Sequence, residues 1–213
     1  MQKYKLTTLM WSQQLSGTNN LAVSDVPSSH AMRTAFSDRD EGIYEYEADR
    51  ERVDPFLQRT TNVKAVETGD ELGIRTYIIM PPEIYGRGTG YFNRTSYAIP
   101  LIIENALKLG KVEYIHPGTS RSGYVHIEDL AALFEVVIAA AIADPELPAG
   151  KRGYFFANTG EYTWYELSES IARAGHALGA LDSPVPTPVS LSGEGVQWWG
   201  GDPVQTERIF AST

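Results

Sequence analysis

The stretch GIRTYIIMPP, residues 73–82, decides the fold class of this sequence. Its β-branched and aromatic run from Ile74 to Met80 is bounded by Gly73 and by two prolines, which predicts a strand. The near-continuous apolar end of that strand is typical of a parallel sheet covered on both faces. Apolar residues at helical spacing predict an amphipathic helix over roughly residues 55–68. Helix, glycine and buried strand form one αβ unit, so we expect an α/β fold.

Further helices and strands follow in alternation. Thr163 and Glu166 have the spacing of a capping box, in which a Thr hydroxyl and a Glu carboxylate each bond the other's backbone N–H. The predicted elements are a helix beginning near Pro100 and ending at Gly110, a strand over 112–116, a helix over 128–143, a strand over 154–157 and a helix from Thr163 to Gly179.

Three segments are predicted to lie outside regular elements. Residues 16–20, SGTNN, indicate a turn or loop after a short strand. Residues 37–54 are highly charged, and we expect them to be solvated. Three prolines between residues 184 and 188 predict an extended linker.

Composition excludes several classes of function. The formal net charge of −9 argues against a nucleic acid or an anionic membrane as partner. The chain has no cysteine, which removes disulfides, thiolate nucleophiles and zinc–sulfur sites. The histidines His30, His116, His126 and His176 lack metal-ligand spacing, so we expect no metal site. We find no secretory signal, and the longest apolar stretch, residues 130–143, is too short to span a bilayer, so we expect a cytoplasmic protein.

Three segments together resemble the extended short-chain dehydrogenases of the NAD(P)-dependent epimerase/dehydratase type. They are IMPPEIYGRG at residues 79–88, GTSRSGYVHIEDLA at 118–131 and NTGEYTWYEL at 158–167. In that family they correspond to the sixth strand with its loop, a segment ahead of a long helix, and the strand and helix before the C-terminal cap. Each segment is weak alone, and their order and spacing make the resemblance specific.

The resemblance implies the later half of a Rossmann-like parallel sheet with a smaller C-terminal substrate-binding cap. Residues 1–90 would form the later part of the NAD(P)-binding domain, with 125–160 packing back on it. Residues 91–213 would form the cap, which we expect to be incomplete at its C-terminus. The sequence carries no G-x-x-G-x-x-G or G-x-G-x-x-G near its start, so we expect a truncated chain or a product of an incomplete gene model.

The resemblance also implies catalytic candidates. Thr18 matches the family's strand-five Ser/Thr, and a turn residue is the alternative reading. Tyr46 and Arg50 have the Tyr-x-x-x-Lys spacing with Arg in the Lys position, and a solvated charged segment is the alternative. Counting back from the strand that ends at Met80 places the family's Tyr near residues 56–59, where no Tyr stands.

Binding candidates come from the same resemblance. Those for the cofactor are Pro81, Pro82 and Ile84, and those for the substrate are Tyr85, Asn93, Arg121 and His126. Arg121 stands one residue earlier than the family's Arg, and a hydrogen-bonded structural role is the alternative for His126. Asp129 is expected to cap or open the helix that follows. Residues 86–90 are read either as a loop over the nicotinamide or substrate or as a flexible turn, and Trp198 and Trp199 either as lid aromatics or as part of the cap core.

The function implied is that of an NAD(P)-dependent oxidoreductase or epimerase/dehydratase-like protein. Its cofactor would be NAD or NADP, and its small-molecule substrate would carry a carbonyl or hydroxyl, as a nucleotide sugar, an aldehyde or an alcohol does. A homo-oligomer is compatible with the resemblance. Without the pyrophosphate-binding glycines, we expect this chain to bind NAD or NADP poorly and to be weakly active or inactive. The alternative is a non-catalytic Rossmann-like scaffold or a nucleotide sensor.

Overall fold

The computed structural model of the protein describes residues 10–21, 35–39 and 42–190. The helices of this part are α1 (Ile43–Val53), α2 (Leu57–Leu72), α3 (Ala98–Leu109), α4 (Ile127–Ala143) and α5 (Trp164–Ala177). The strands are β1 (Trp11–Leu15), β2 (Arg75–Met80), β3 (Glu83–Tyr85), β4 (Glu113–Ile115), β5 (Arg121–His126), β6 (Tyr154–Phe156), β7 (Gly160–Thr163) and β8 (Thr187–Val189). Three residues named above, His30, Trp198 and Trp199, lie outside the described ranges.

The main sheet is parallel and has the strand order β1-β2-β6. Its central strand, β2, is the strand predicted from GIRTYIIMPP, and residues 77–80 are fully buried. Arg75 begins this strand and donates hydrogen bonds to the carbonyls of Ala141, Asp144 and Leu147 at 3.0–3.1 Å. The strand is thereby tied to the end of α4. The predicted α/β class with a Rossmann-like parallel sheet is confirmed.

Helices cover both faces of this sheet, as the continuous apolar strand predicted. Ile78 and Met80 point to one face, where they pack with Val63 and Val66 of α2. On the opposite face, Tyr77 and Ile79 join a second cluster with apolar residues of α4. Alternate residues of β2 therefore anchor two separate cores, which is the arrangement expected where a strand is buried on both sides.

A second, three-stranded sheet begins where the chain leaves β2. Pro81 and Pro82 end the ladder, and β3 then pairs in parallel with β5, which pairs antiparallel with β7. Helices α3 and α5 pack together nearby through Ala106, Ala172 and Leu181. The division of the chain at residue 90 into a cofactor part and a cap stays a prediction.

The charged segment 37–54 differs from its prediction. Residues 43–53 form α1, in which Ile43, Tyr46, Glu47 and Arg50 are buried. Glu47 is buried because it finds polar partners inside the fold, as described below, whereas Glu45, Arg52 and Val53 are exposed. Those partners lie far away in the sequence, so local composition could not reveal them.

The segment predicted to be an extended proline-rich linker contains a short strand. Residues 187–189 form β8, which pairs in parallel with β4 and places Pro188 opposite Tyr114. Proline is tolerated there because β8 has one strand neighbour within the described residues, so one side of the strand needs no ladder N–H.

No helix among the described residues is long and apolar enough to cross a membrane. Within the same residues, no group of three or more His, Asp or Glu side chains is placed to hold a metal ion.

Candidate functional site

The carboxyl ends of β1, β2 and β6 meet at one edge of the main sheet. After β1, the backbone N–H of Ser16 donates to the carbonyl of Ile79 at 2.8 Å, and that of Thr18 to the carbonyl of Pro81 at 3.1 Å. The segments that follow β1 and β2 are therefore fixed side by side. In open parallel sheets, ligands bind in the crevice at this edge.

Two adjoining cavities open at this edge. The smaller has a volume of about 170 Å³, and the larger, about 640 Å³, extends under the loop between β3 and α3. Both are lined by Asn19, Pro82, Glu83 and Ile84. The smaller cavity is further lined by Ser16, Gly17, Gln58, Pro81, Ser122 and Trp164. The larger is further lined by Gly86, Gly88, Thr89, Gly90, Asn93, Arg94, Thr95, Ser96, Tyr97, Ala98 and Ile127.

Glu83 is the carboxyl group common to both cavities. It is the only ionisable side chain among the described residues lining the smaller one, and the only carboxyl among those lining the larger. Burial raises the pKa of Glu83 to about 7. The sequence analysis missed this residue, although its position directly after a buried strand and two prolines marks the expected ligand edge.

Trp164 of α5 lines the smaller cavity, and Tyr162 of β7, which contacts Trp164, lies close enough to Glu83 to feel its charge. The ring of Tyr162 lies 5.5 Å from that of Trp164 in a perpendicular arrangement. Burial first, and then the charge of Glu83, raise the pKa of the Tyr162 phenol, so this hydroxyl stays protonated at neutral pH. Tyr162 is therefore a neutral polar group near Glu83 and not a second anion.

A buried polar network supports the turn after β1. Glu47 of α1 is fully buried, and its carboxylate accepts hydrogen bonds from Asn20, Asn62 and Tyr154 at 2.9–3.2 Å. Burial raises the pKa of Glu47, whereas these three donors oppose the rise. Asn20 also donates to the Ser16 hydroxyl at 3.1 Å. The network thus links α1, α2 and β6 to the cavity wall.

The predicted catalytic pair lies away from the cavities. Tyr46 and Arg50 lie on buried positions of α1, with the Arg50 guanidinium 5.9 Å from the Tyr46 ring centre, as an i, i+4 pair requires. The Tyr46 ring packs edge-on against Phe36 at 4.9 Å. Neither residue lines a cavity described above, and Thr18 belongs to the short 3-10 turn Thr18–Leu21 without lining one either. Their catalytic role stays a prediction.

The predicted cofactor residues Pro81, Pro82 and Ile84 all line the smaller cavity, and the last two also line the larger. Among the predicted substrate residues, Asn93 lines the larger cavity. Arg121 is paired with Glu161 at 2.9 Å on an exposed part of β5 and β7.

Tyr85 and His126 form an aromatic contact beside the larger cavity, with ring centres 5.1 Å apart. His126 caps α4 by accepting the backbone N–H of Glu128 at 3.3 Å, so the cap is His126, and Asp129 lies in the first turn. Gly86 lies at φ +97°, and a Cβ there would stand 2.2 Å from Nε2 of His126. The close approach of this loop to His126 therefore requires a glycine.

The turns after β1 and β2 do not fit the pyrophosphate of a dinucleotide. A pyrophosphate needs free backbone N–H groups at a turn leading into a helix. After β1, the N–H groups of Thr18 and Asn20 are donated to the carbonyls of Pro81 and Gly17. After β2, the two prolines have no N–H. The walls of the smaller cavity carry no cationic side chain among the described residues, so they suit an uncharged sugar ring.

Comparison with known protein families gives a match over the middle of the chain. Residues 59–150 match the model of the NAD dependent epimerase/dehydratase family. Part of this chain fits that family. The matched range contains β2, the cavity loop and α4, but not the turn after β1. A comparison with curated protein sequences finds no match.

Solved structures of low sequence identity share the fold. dTDP-glucose 4,6-dehydratase from Bacillus anthracis, solved in complex with NAD, has a TM-score of 0.51 and 15% identity over 84% of this chain and 49% of its own. An epimerase from Methanothermobacter thermautotrophicus has a TM-score of 0.51 and 12% identity over 84% of this chain and 46% of its own. The PbgP3 protein from Burkholderia pseudomallei has the same TM-score and 8% identity over 94% and 58%. The chain thus spans about half the length of these structures.

Proposed function

We propose that the two cavities form the substrate side of an NAD(P)-dependent oxidoreductase or epimerase/dehydratase-like protein. The observation that carries this proposal is the position of both cavities at the carboxyl edge of a parallel sheet, within a chain that partly fits the family. The ligand class proposed is a nucleotide sugar, because the similar Bacillus anthracis protein is named for dTDP-glucose. The larger cavity has room for the nucleotide, and the smaller one suits the sugar ring.

The test is binding of dTDP-glucose followed by methyl NMR. Ile84 and Ile127 line the larger cavity, whereas Ile103 of α3 does not. We expect dTDP-glucose to shift the methyl signals of the first two residues and to leave Ile103 unchanged. Equal shifts at all three isoleucines, or none up to millimolar ligand, would contradict the proposal.

Cofactor binding is tested by comparing NADH with reduced nicotinamide mononucleotide, which lacks the adenosine monophosphate half of NADH. Because the turns after β1 and β2 offer no phosphate cradle, we expect NADH and reduced nicotinamide mononucleotide to bind this chain with similar, weak affinity. Isothermal titration measures both. A micromolar dissociation constant for NADH, or one more than about tenfold tighter than that of the mononucleotide, would contradict this expectation, since tenfold corresponds to ~1.4 kcal/mol.

A second candidate is a ligand-binding protein without turnover. It is favoured by the cavity walls, where the described lining residues include no lysine to pair with a catalytic tyrosine. Saturating dTDP-glucose binding with no change of the sugar, in the presence of either dinucleotide, is the outcome expected of this candidate.

A further inference from the structure

Glu83 occupies the point where the two cavities join. It begins β3 directly after the two prolines that end the main-sheet strand, so the backbone on either side of it is fixed. A ligand that extends from one cavity into the other meets the residues common to both, and Glu83 is the ionisable one among them. No other carboxyl lines either cavity within the described part of the chain.

On the side of the smaller cavity, the described residues around this carboxyl are uncharged. Pro82 and Ile84 flank it. The other polar side chains lining the smaller cavity are uncharged, namely Ser16, Asn19, Gln58, Ser122 and Trp164. No described residue forms a hydrogen bond or an ion pair with the Glu83 side chain. Burial without a partner favours the protonated carboxyl, and the pKa of about 7 follows from this burial alone.

Charged groups on the neighbouring strands are engaged elsewhere. On β5 and β7, Arg121 pairs with Glu161, and His126 caps α4. Tyr162 of β7 remains neutral at physiological pH because its pKa is raised. Arg94 lines the larger cavity and donates from Nε to the carbonyl of Gly90 at 2.9 Å. Among the described residues, none of these cations forms an ion pair with Glu83.

We propose that the protonated Glu83 carboxyl recognises the ligand by donating a hydrogen bond to a hydroxyl or carbonyl oxygen of its sugar part. This inference rests on the proposed function, since it assigns the sugar-recognising group of the same site. A neutral carboxyl can donate a hydrogen bond, and a ligand oxygen gives this partly buried side chain a partner that the described residues do not supply.

The consequence is a ligand affinity that falls as the pH rises. Only the protonated form donates, so binding weakens as Glu83 ionises. With a pKa of about 7, the dissociation constant of dTDP-glucose should rise about tenfold from pH 6 to pH 8. The diphosphate diester of the ligand keeps the same charge over this range, so the ligand adds no titration of its own.

The experiment is isothermal titration of the full chain with dTDP-glucose at pH 6, 7 and 8, using Glu83→Gln, Glu83→Ala and Glu104→Gln. Gln keeps a donor and cannot ionise, Ala removes the donor, and Glu104 is an exposed α3 residue paired with Lys108. We expect the pH dependence in the wild type and in Glu104→Gln, its loss in Glu83→Gln, and binding at least about tenfold weaker in Glu83→Ala at pH 6.

A measurement on the wild type alone makes the test independent of how the variants fold. Carboxyl-labelled glutamate NMR gives the pKa of Glu83 with and without dTDP-glucose, and saturation should raise it because the ligand binds the protonated form. An unchanged or lowered pKa overturns the inference, as does equal binding by the Gln and Ala variants, which indicates simple charge repulsion. Binding that is independent of pH overturns the inference and leaves the proposed function standing, whereas no binding at any pH by wild type or variants contradicts both.

Discussion

At the scale of single residues, ionisation of Glu83 couples the site to the stability of the fold. Its pKa of about 7 in the folded protein lies above the ordinary value of about 4.3. A raised pKa contributes stability that is complete below the unfolded value and is lost as the pH rises through the folded value. The folded protein should therefore lose stability between about pH 4 and pH 7.

Glu83→Gln tests this coupling because glutamine has nearly the same shape and cannot ionise. We expect the free energy of unfolding of the variant, relative to wild type, to increase by roughly 1–2 kcal/mol between pH 5 and pH 8, allowing for partial solvent screening. Urea denaturation at both pH values measures it, with Glu104→Gln as control. If the unfolding free energies of wild type and variant change by the same amount between pH 5 and pH 8, burial does not raise the pKa of Glu83.

The buried Glu47 network supports a second prediction at this scale. The Tyr154 hydroxyl donates to Glu47 at 2.9 Å inside the core, whereas the Tyr44 hydroxyl lies 3.5 Å from the partly exposed Glu67. Tyr154→Phe leaves a buried carboxylate oxygen with one donor fewer, which should cost about 1–3 kcal/mol of unfolding free energy. Tyr44→Phe should cost less than about 0.5 kcal/mol. Equal effects in chemical denaturation would refute the ranking.

The positions of Tyr46 and Glu83 show what sequence spacing does and does not reveal. The i, i+4 relation of Tyr46 and Arg50 was predictable because helix geometry is local. Whether that pair faces a ligand depends on the packing of α1 against Asn20, Asn62 and Tyr154, which no local pattern encodes. Glu83 was missed for a related reason, since its raised pKa arises from burial between strands that are distant in sequence.

At the scale of elements, the helix α5 begins with the capping box predicted from sequence. The Thr163 hydroxyl accepts the backbone N–H of Glu166 at 3.2 Å, and the Glu166 carboxylate accepts that of Thr163 at 2.7 Å. The next residue, Trp164, lines the smaller cavity, so the start of this helix sets part of the site.

Removal of the capping hydroxyl should therefore destabilise the protein measurably. Thr163→Ala should cost about 1 kcal/mol, and Thr163→Ser, which keeps the hydroxyl, should remain near wild type. Thermal and urea unfolding followed by far-ultraviolet circular dichroism give both values. If alanine and serine behave alike, the backbone at the start of α5 is held by packing and not by the cap.

Long periodic elements were predicted more successfully than short ones. The strand β2 and helices α2, α3, α4 and α5 agree with their sequence patterns within a few residues, since each combines an apolar period with a glycine, proline or cap signal. The three-residue strands β3 and β8 were not predicted. The equally short strands β4 and β6 were predicted because alternating or aromatic residues mark them. β3 follows two prolines and β8 contains one, so only their pairing with distant strands reveals them.

At the scale of the molecule, the parallel class of the main sheet followed from one strand, because a strand that is apolar on both faces needs two covering layers. The order β1-β2-β6 did not follow from sequence, since it depends on which crossovers fit the packed helices. The strand order matters for function because it places three carboxyl ends, and hence both cavities, at one edge.

The same strand order leaves β1 with one neighbour among the described strands. Backbone groups of even-numbered residues, such as the N–H of Ser16, form hydrogen bonds with β2. The N–H groups of the odd-numbered residues of β1 therefore point away from β2. Leu15 lies on this strand with 52% of its surface exposed. An unpaired strand edge with an exposed apolar side chain promotes pairing with another chain, so we expect the isolated chain to associate as its concentration rises.

Leu15→Lys tests whether that association runs through the β1 edge. A lysine there adds a charge that a second strand would have to bury, so the average mass in light scattering should move towards the monomer. Leu178→Lys is the matched control, because Leu178 is 83% exposed at the end of α5 and lies off the sheet. If both variants reduce association equally, general surface hydrophobicity drives it. If the wild type stays monomeric up to high micromolar concentration, the β1 edge is protected and the expectation is wrong.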